Sequence, residues 1–243
     1  MFQQDSYRQH ISAQFNAELE AVKNHLLEMG GLVEQQVARA VESLLSRDSG
    51  LAEEIIVNDE LVNQLEVSID EECSRILARR QPAASDLRLV FTIAKVTTDL
   101  ERIGDEASKI ARQAVRLSEE DASPSNFVEI RHIGGHVANM LRKSLDAFAR
   151  LDVDMAVETI VADRSVDAEY STAMRSLITF MMEDPRTIGA VINEMWALRS
   201  LERVGDHASN ISEHVVYLVR GLDVRHVEPD ELVAHVEESE RNS

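Results

Sequence analysis

Two glutamate–aspartate pairs carry the residue types that could do chemistry: Glu101 and Asp105 in "LERIGDEASKI", and Glu202 and Asp206 in "LERVGDHASNI". Four residues separate the acids in each phrase, so on a helix both carboxylates share one face. Such a pair offers hard oxygen donors, suited to Mg²⁺, Mn²⁺ or Fe³⁺. It also repels itself unless a cation or an arginine lies close by. Arg102 and Arg203 adjoin the pairs and are the competing partners, in surface ion pairs worth less than about 1 kcal/mol. A second set has the same spacing: Asp59 and Asn63 in "VNDELVN", and Asp163 and Asp167 in "VADRSVD". Glu66 and Asp70 extend the first stripe only. If the helices carrying the two sets are neighbours, each half of the chain gathers three or four side-chain oxygens on one surface. A solvated acidic face would use the same letters, so metal binding and plain solvation are both open at this level. Lys109, Arg112 and Glu106 correspond to Asn210, Glu213 and His207, which makes the second site richer in possible ligands. His207 and His214, seven apart on one face, are read either as solvated or as further ligands.

The elements that must position these acids are helices. Leu89, Ile93, Val96, Leu100, Ile103, Ala107, Ile110, Ala114 and Leu117 alternate at spacings of four and three, and Ala197, Leu201, Val204, Ala208, Ile211, Val215 and Leu218 repeat the seam. In that register Glu101 and Asp105 occupy outward positions, as do Glu202 and Asp206. The repeat runs further: residues 29–63 lie over 133–167 at an offset of 104, matching Gly30/Gly134, Gly31/Gly135, Asp48/Asp152 and Asp59/Asp163. The offset falls to 101 at the doubled phrase, because the loop "RRQPAASD" is replaced by the shorter "MEDP", and loops are where repeats tolerate length changes.

Punctuation divides each half into three helices, expected at 6–46, 50–80 and 86–118, then 126–150, 153–183 and 185–220. Asp48 or Ser49, Ser85, and Asp184 before Pro185 are the expected N-caps, and Gly221 the stop. The fold class is therefore all-α, with two tandem pseudo-symmetric three-helix bundles. The expected boundaries are 1–120, 121–221 and an acidic tail at 222–243. The glycines at 30/31 and 134/135 each cost of order 1 kcal/mol inside a helix, which points to another backbone passing close by.

Composition agrees. Among 243 residues only 4% are aromatic and four are proline, while 44 acidic residues against 25 basic give a net charge of −19. A surface of that sign repels phosphate backbones and anionic headgroups, so nucleic acid is not an expected partner. No stretch approaches the roughly 18 apolar residues of a membrane span, and the N-terminus lacks a signal-peptide pattern; a cytoplasmic location is expected. Cys73 is the single cysteine, read as a buried small hydrophobe.

The long phrases "MGGLVEQQV", "DELVNQLEVSIDEEC", "RRQPAASDLRLVFTIAKVTTDLERIGDEASKIA" and "SLERVGDHASNISEHVVYL" resemble the PhoU family of phosphate-uptake regulators over almost the whole chain. The resemblance implies tandem three-helix bundles, often dimeric, whose acidic motifs hold iron, zinc, manganese or magnesium. Carried over by position, the motif acids are Asp59, Glu101, Asp105, Asp163, Asp167, Glu202 and Asp206; Asn63 stands where the family has an aspartate. It also implies a non-enzymatic negative regulator that links the ATPase of a phosphate ABC transporter to a membrane sensor histidine kinase and reaches the membrane only through these partners. The alternative is a ferritin-like di-metal carboxylate oxidase or storage protein, which wants Glu-x-x-His on two helices projecting into a four-helix core. Only Glu129 to His132 offers that spacing.

Overall fold

The computed structural model describes residues 2–82, 84–120 and 128–227, with 231, 232, 234 and 236 of the tail; within 2–12 only the backbone path is described. Six helices follow in order: α1 Phe2–Ser46, α2 Ser49–Arg80, α3 Ala84–Ser118, α4 Val128–Arg150, α5 Val153–Glu183 and α6 Ile188–Arg220. A single 3₁₀ turn, Pro185–Thr187, precedes α6. The all-α class and the two groups of three helices agree with the sequence reading.

The breaks between helices are built from local chemistry and are themselves copied. Asp48 accepts from the backbone N–H of Leu51, and Asp152 from that of Met155, each at 3.0 Å, an N-cap worth about 1 kcal/mol. Arg47 and Leu151, one residue before each cap, both take the left-handed conformation, with φ of 55° and 56°. Asp184 caps the 3₁₀ turn, and Gly221, with φ of 71°, closes α6 by donating to the Tyr217 carbonyl. Ser85 is not a cap: α3 starts one residue earlier, so its hydroxyl lies inside the first turn.

Within each group the helices bury the expected seams. Ile93, Leu100, Ile103 and Ile110 are fully enclosed, and each such side chain contributes roughly 1.5–3 kcal/mol by leaving water. The most extensive helix pairing, however, is α3 with α6, between the two groups, and α1 also meets α4. Both long helices therefore have neighbours on three sides: α1, α2 and α6 around α3, and α3, α4 and α5 around α6.

The first glycine of each pair sits at the α1–α4 crossing. A Cβ on Gly30 would lie 2.7 Å from a methyl of Leu145, and one on Gly134 would lie 2.9 Å from a methyl of Val41. Those two contacts map onto each other under the 104-residue offset, so the crossing is a pseudo-twofold contact. The close neighbour is thus a side chain, not the backbone that the sequence suggested; Gly31 and Gly135 face open space.

In the tail, Leu232 and Val236 are buried against the core, and the described residues from 231 to 236 are helical. Cys73 is also buried, and enclosure pushes its thiol up to about 12, so it packs as a hydrophobe.

Candidate metal centre

The acids of the doubled phrase do not stand outward as a two-neighbour heptad would place them. Glu202 is 9% exposed, and Glu101, Asp105 and Asp206 are only partly exposed. The reason is the crowding around α3 and α6: a seam with neighbours on three sides leaves no wide solvent face. Asp59 is likewise buried at 9%.

In the second half, α5 and α6 bring the predicted residues together. One carboxylate oxygen from each of Asp167, Glu202 and Asp206 lies within 4.8 Å of the others. Asp163 joins from one turn earlier on α5, its Oδ1 packed 3.4 Å from where a Cβ would stand on Gly205. The glycine therefore lets an aspartate rest on the α6 backbone. Burial, then the charges of Asp206, Asp167 and Glu202, push the Asp163 carboxyl up to about 7. Burial and Asp206 raise Glu202, and burial and Asp167 raise Asp206. Arg199 partly relieves Glu202 through an ion pair, yet Glu202 Oε2 stays buried with no hydrogen-bond partner. Several carboxylates held at raised pKa, with an unsatisfied buried oxygen among them, form a donor set that fits a hard cation, whose charge would lower every one of those pKa values.

The first half uses the same letters differently. Asp59 accepts a hydrogen bond from the Gln36 amide at 2.8 Å and packs 3.2 Å from where a Cβ on Gly104 would stand. Gln36 Oε1 is the buried oxygen left without a partner here, a neutral one. Burial, Asp105 and Glu66 raise Glu101, while Arg102 lies 3.6 Å from it. Asn63 is partly buried and Asp105 half-buried, but among the described residues these groups do not converge as the second set does.

Arg203 turns away from its adjacent acid. It lies 2.8 Å from Glu106 of α3, a carboxylate that is 2% exposed and also takes Lys109 at 3.0 Å. His207 and His214 are neither solvated nor ligands of the cluster: both reach Asp99 of α3, at 2.9 and 3.3 Å. Burial pushes Asp99 up, but the hydrogen bonds from these histidines outweigh it and hold the carboxyl below its usual range. Asp99 and Gln36 were not singled out from the sequence, and Glu106 only as the counterpart of His207, because their importance depends on the α3–α6 and α1–α2 contacts. Another convergent set, His132 and His136 of α4 with Glu169 of α5, was half legible: "HIGGH" places two imidazoles one turn apart, while only packing supplies the glutamate.

Comparison with known proteins agrees with this architecture. The PhoU domain model matches residues 26–114 and 130–215, once in each half. The chain is 60% identical over 237 residues to the phosphate-specific transport system accessory protein PhoU homolog of Pseudomonas putida, covering 98% of this chain and 93% of that one. It is 49% identical to the protein PhoU of Escherichia coli K12, over 92% of each chain. The crystal structure of PhoU from Pseudomonas aeruginosa superposes with a TM-score of 0.84 at 62% identity, covering 86% of this chain and all of that one. A family match in both halves, together with relatives this similar over nearly their full length, places the chain in the PhoU family.

Proposed function

We propose that this chain is a negative regulator of the phosphate regulon and of phosphate uptake. It acts in the cytoplasm as a helical adaptor between the ATPase of a phosphate ABC transporter and a membrane sensor histidine kinase. The observation that carries the reading is near full-length similarity to relatives named as accessory proteins of the phosphate-specific transport system. The architecture supports it. Long helices packed on three sides form a stiff scaffold, and the polar groups lie at helix contacts rather than in a reaction cavity. Among the described residues no helix is long and apolar enough to cross a membrane; in this proposal the chain meets the membrane through its partners. The exposed apolar residues Ile188, Ile192 and Trp196, four apart along α6, offer surface that a homodimer or a partner could cover.

Asp163, Asp167, Glu202 and Asp206 are the residues that would hold an Mg, Mn, Fe or Zn ion in the second half, with Asp59, Asn63, Glu101 and Asp105 as the weaker counterpart. Such an ion would supply positive charge that ties α5 to α6; no catalytic step is assigned to it. The ferritin-like alternative fits less well, since these acids meet at a helix contact and not in a four-helix core.

The test is genetic. Deleting the gene should derepress phosphate-starvation genes in medium rich in phosphate, and reintroducing the intact chain should restore repression. Unchanged expression after deletion overturns the assignment.

A further inference from the structure

His132 and His136 lie one turn apart on α4, and both direct Nδ1 at the same carboxylate across the α4–α5 contact. His132 Nδ1 is 3.1 Å from Glu169 Oε2, and His136 Nδ1 is 3.0 Å from Glu169 Oε1. The two rings stand 4.6 Å apart, centre to centre, tilted by 48°. The backbone fixes this aim. Ile133 is buried between the two histidines, and Gly134 is seated on Val41 of α1, which sets the rotation of α4. Val166 and Ala173, both 1% exposed, anchor α5 on either side of Glu169.

Three features separate this cluster from ordinary surface ion pairs. First, one donor atom from each residue lies within 4.8 Å of the others. Tetrahedral Zn²⁺, with bonds of about 2.0–2.2 Å, holds its donors about 3.3 Å apart, close to the 3.1 and 3.0 Å between the imidazole nitrogens and the Glu169 oxygens. Second, the cluster borders an open hollow of about 370 Å³ lined by Val128, Ile133, Ala168 and Ala173 with Glu129 beside His132, leaving room for water at a fourth position. Third, it is not part of the repeat. The equivalent positions in the first half, at the 104-residue offset, are Glu28, Leu32 and Leu65, so a bundle of this design closes without such a group.

We propose that His132, His136 and Glu169 form a binding site for a borderline divalent cation of the Zn²⁺ class, separate from the carboxylate cluster. Two imidazoles and one carboxylate suit Zn²⁺ and its neighbours, whereas all-oxygen sets suit Mg²⁺, Ca²⁺ and Mn²⁺. The net charge of −19 raises the local concentration of cations of either kind. A bound ion would clamp the first turns of α4 to the middle of α5.

The test uses the full chain stripped of metal by a chelator and titrated with zinc chloride alone, by calorimetry, beside the variants H132A/H136A and E202Q/D206N. One binding event should persist in E202Q/D206N and be lost in H132A/H136A. The loss should exceed the about 10–100-fold that removing an outer-shell partner costs. Cobalt substitution provides a second readout: its ligand-field absorption should be present in the parent and altered in Glu169→Gln, a variant close in shape that keeps both histidines. The proposal is overturned if the parent takes up no zinc, or if H132A/H136A binds it with the parent's stoichiometry and affinity. The histidines would then be ion-pair partners of Glu169 only.

Discussion

The two halves spell nearly the same acidic motif, yet pack it into different sites. In the second half, Asp167, Glu202 and Asp206 converge, and Asp163 is pushed up to about 7 by burial and by their charge. In the first, Asp59 is tied to Gln36, Asn63 replaces an anion by a neutral amide, and Arg102 sits beside Glu101. The position equivalent to Gln36 is Met140, a side chain with no donor to offer an aspartate. In one half the buried aspartate is met by a hydrogen bond from Gln36, while in the other the carboxylates face one another, with Glu202 paired to Arg199. A repeated motif thus fixes where carboxylates can stand; the residues around it decide how closely they meet and what partners their charge.

The sharpest way to break this contrast is to measure metal affinity half by half. With Mn²⁺ or Fe³⁺ as the titrant, E202Q/D206N should lose more than about 100-fold, beyond the usual effect of an outer-shell change, while E101Q/D105N should lose less than about tenfold. Equal losses in calorimetry would mean that the halves are equivalent sites.

Glycine substitutions give the next largest effect and separate what the halves share from what they do not. Gly30→Ala and Gly134→Ala meet methyls at 2.7 and 2.9 Å and should each cost about 1–3 kcal/mol through overpacking. Gly205→Ala meets nothing closer than 3.4 Å, so the helical preference for alanine should leave it neutral or up to about 1 kcal/mol more stable. Gly104→Ala, at 3.2 Å from Asp59, should fall between. Urea denaturation would rank the four; a destabilised Gly205→Ala beside a neutral Gly30→Ala would contradict the packing described.

The smallest effect is the pH dependence of Asp163. Its folded pKa of about 7 lies above the unfolded value of about 4, so the folded state binds more protons between these limits. Stability from this group is therefore full below about pH 4 and is lost as pH rises to 7. In metal-free protein, Asp163→Asn should match the parent near pH 4 and melt about 2 °C higher near pH 8. Solvent screening at a half-buried group keeps the difference small. A variant less stable than the parent at pH 8 would show that Asp163 is satisfied by a group other than its acidic neighbours.

Much of the fold was legible because its determinants are local. The caps at Asp48 and Asp184, the stop at Gly221 and the four-and-three seam of α3 depend on residues within a turn or two of each other. The exposure of the motif acids was misread because a seam assigns an inside and an outside only for a helix with neighbours on one side, and α3 and α6 each have three neighbouring helices. The same contact turned His207 and His214 from surface residues into partners of Asp99.

By itself, then, the sequence determined six helices, their doubling, their breaks and the eight residues able to offer oxygen ligands, since periodicity, capping and side-chain spacing act over short stretches of chain. Only the tertiary structure decided that three acids of the second half meet, that Gln36 answers Asp59, and that Glu169 lies between two histidines. Convergence and burial are properties of surfaces brought together from distant parts of the chain, and the strength of a charge depends on what is packed around it.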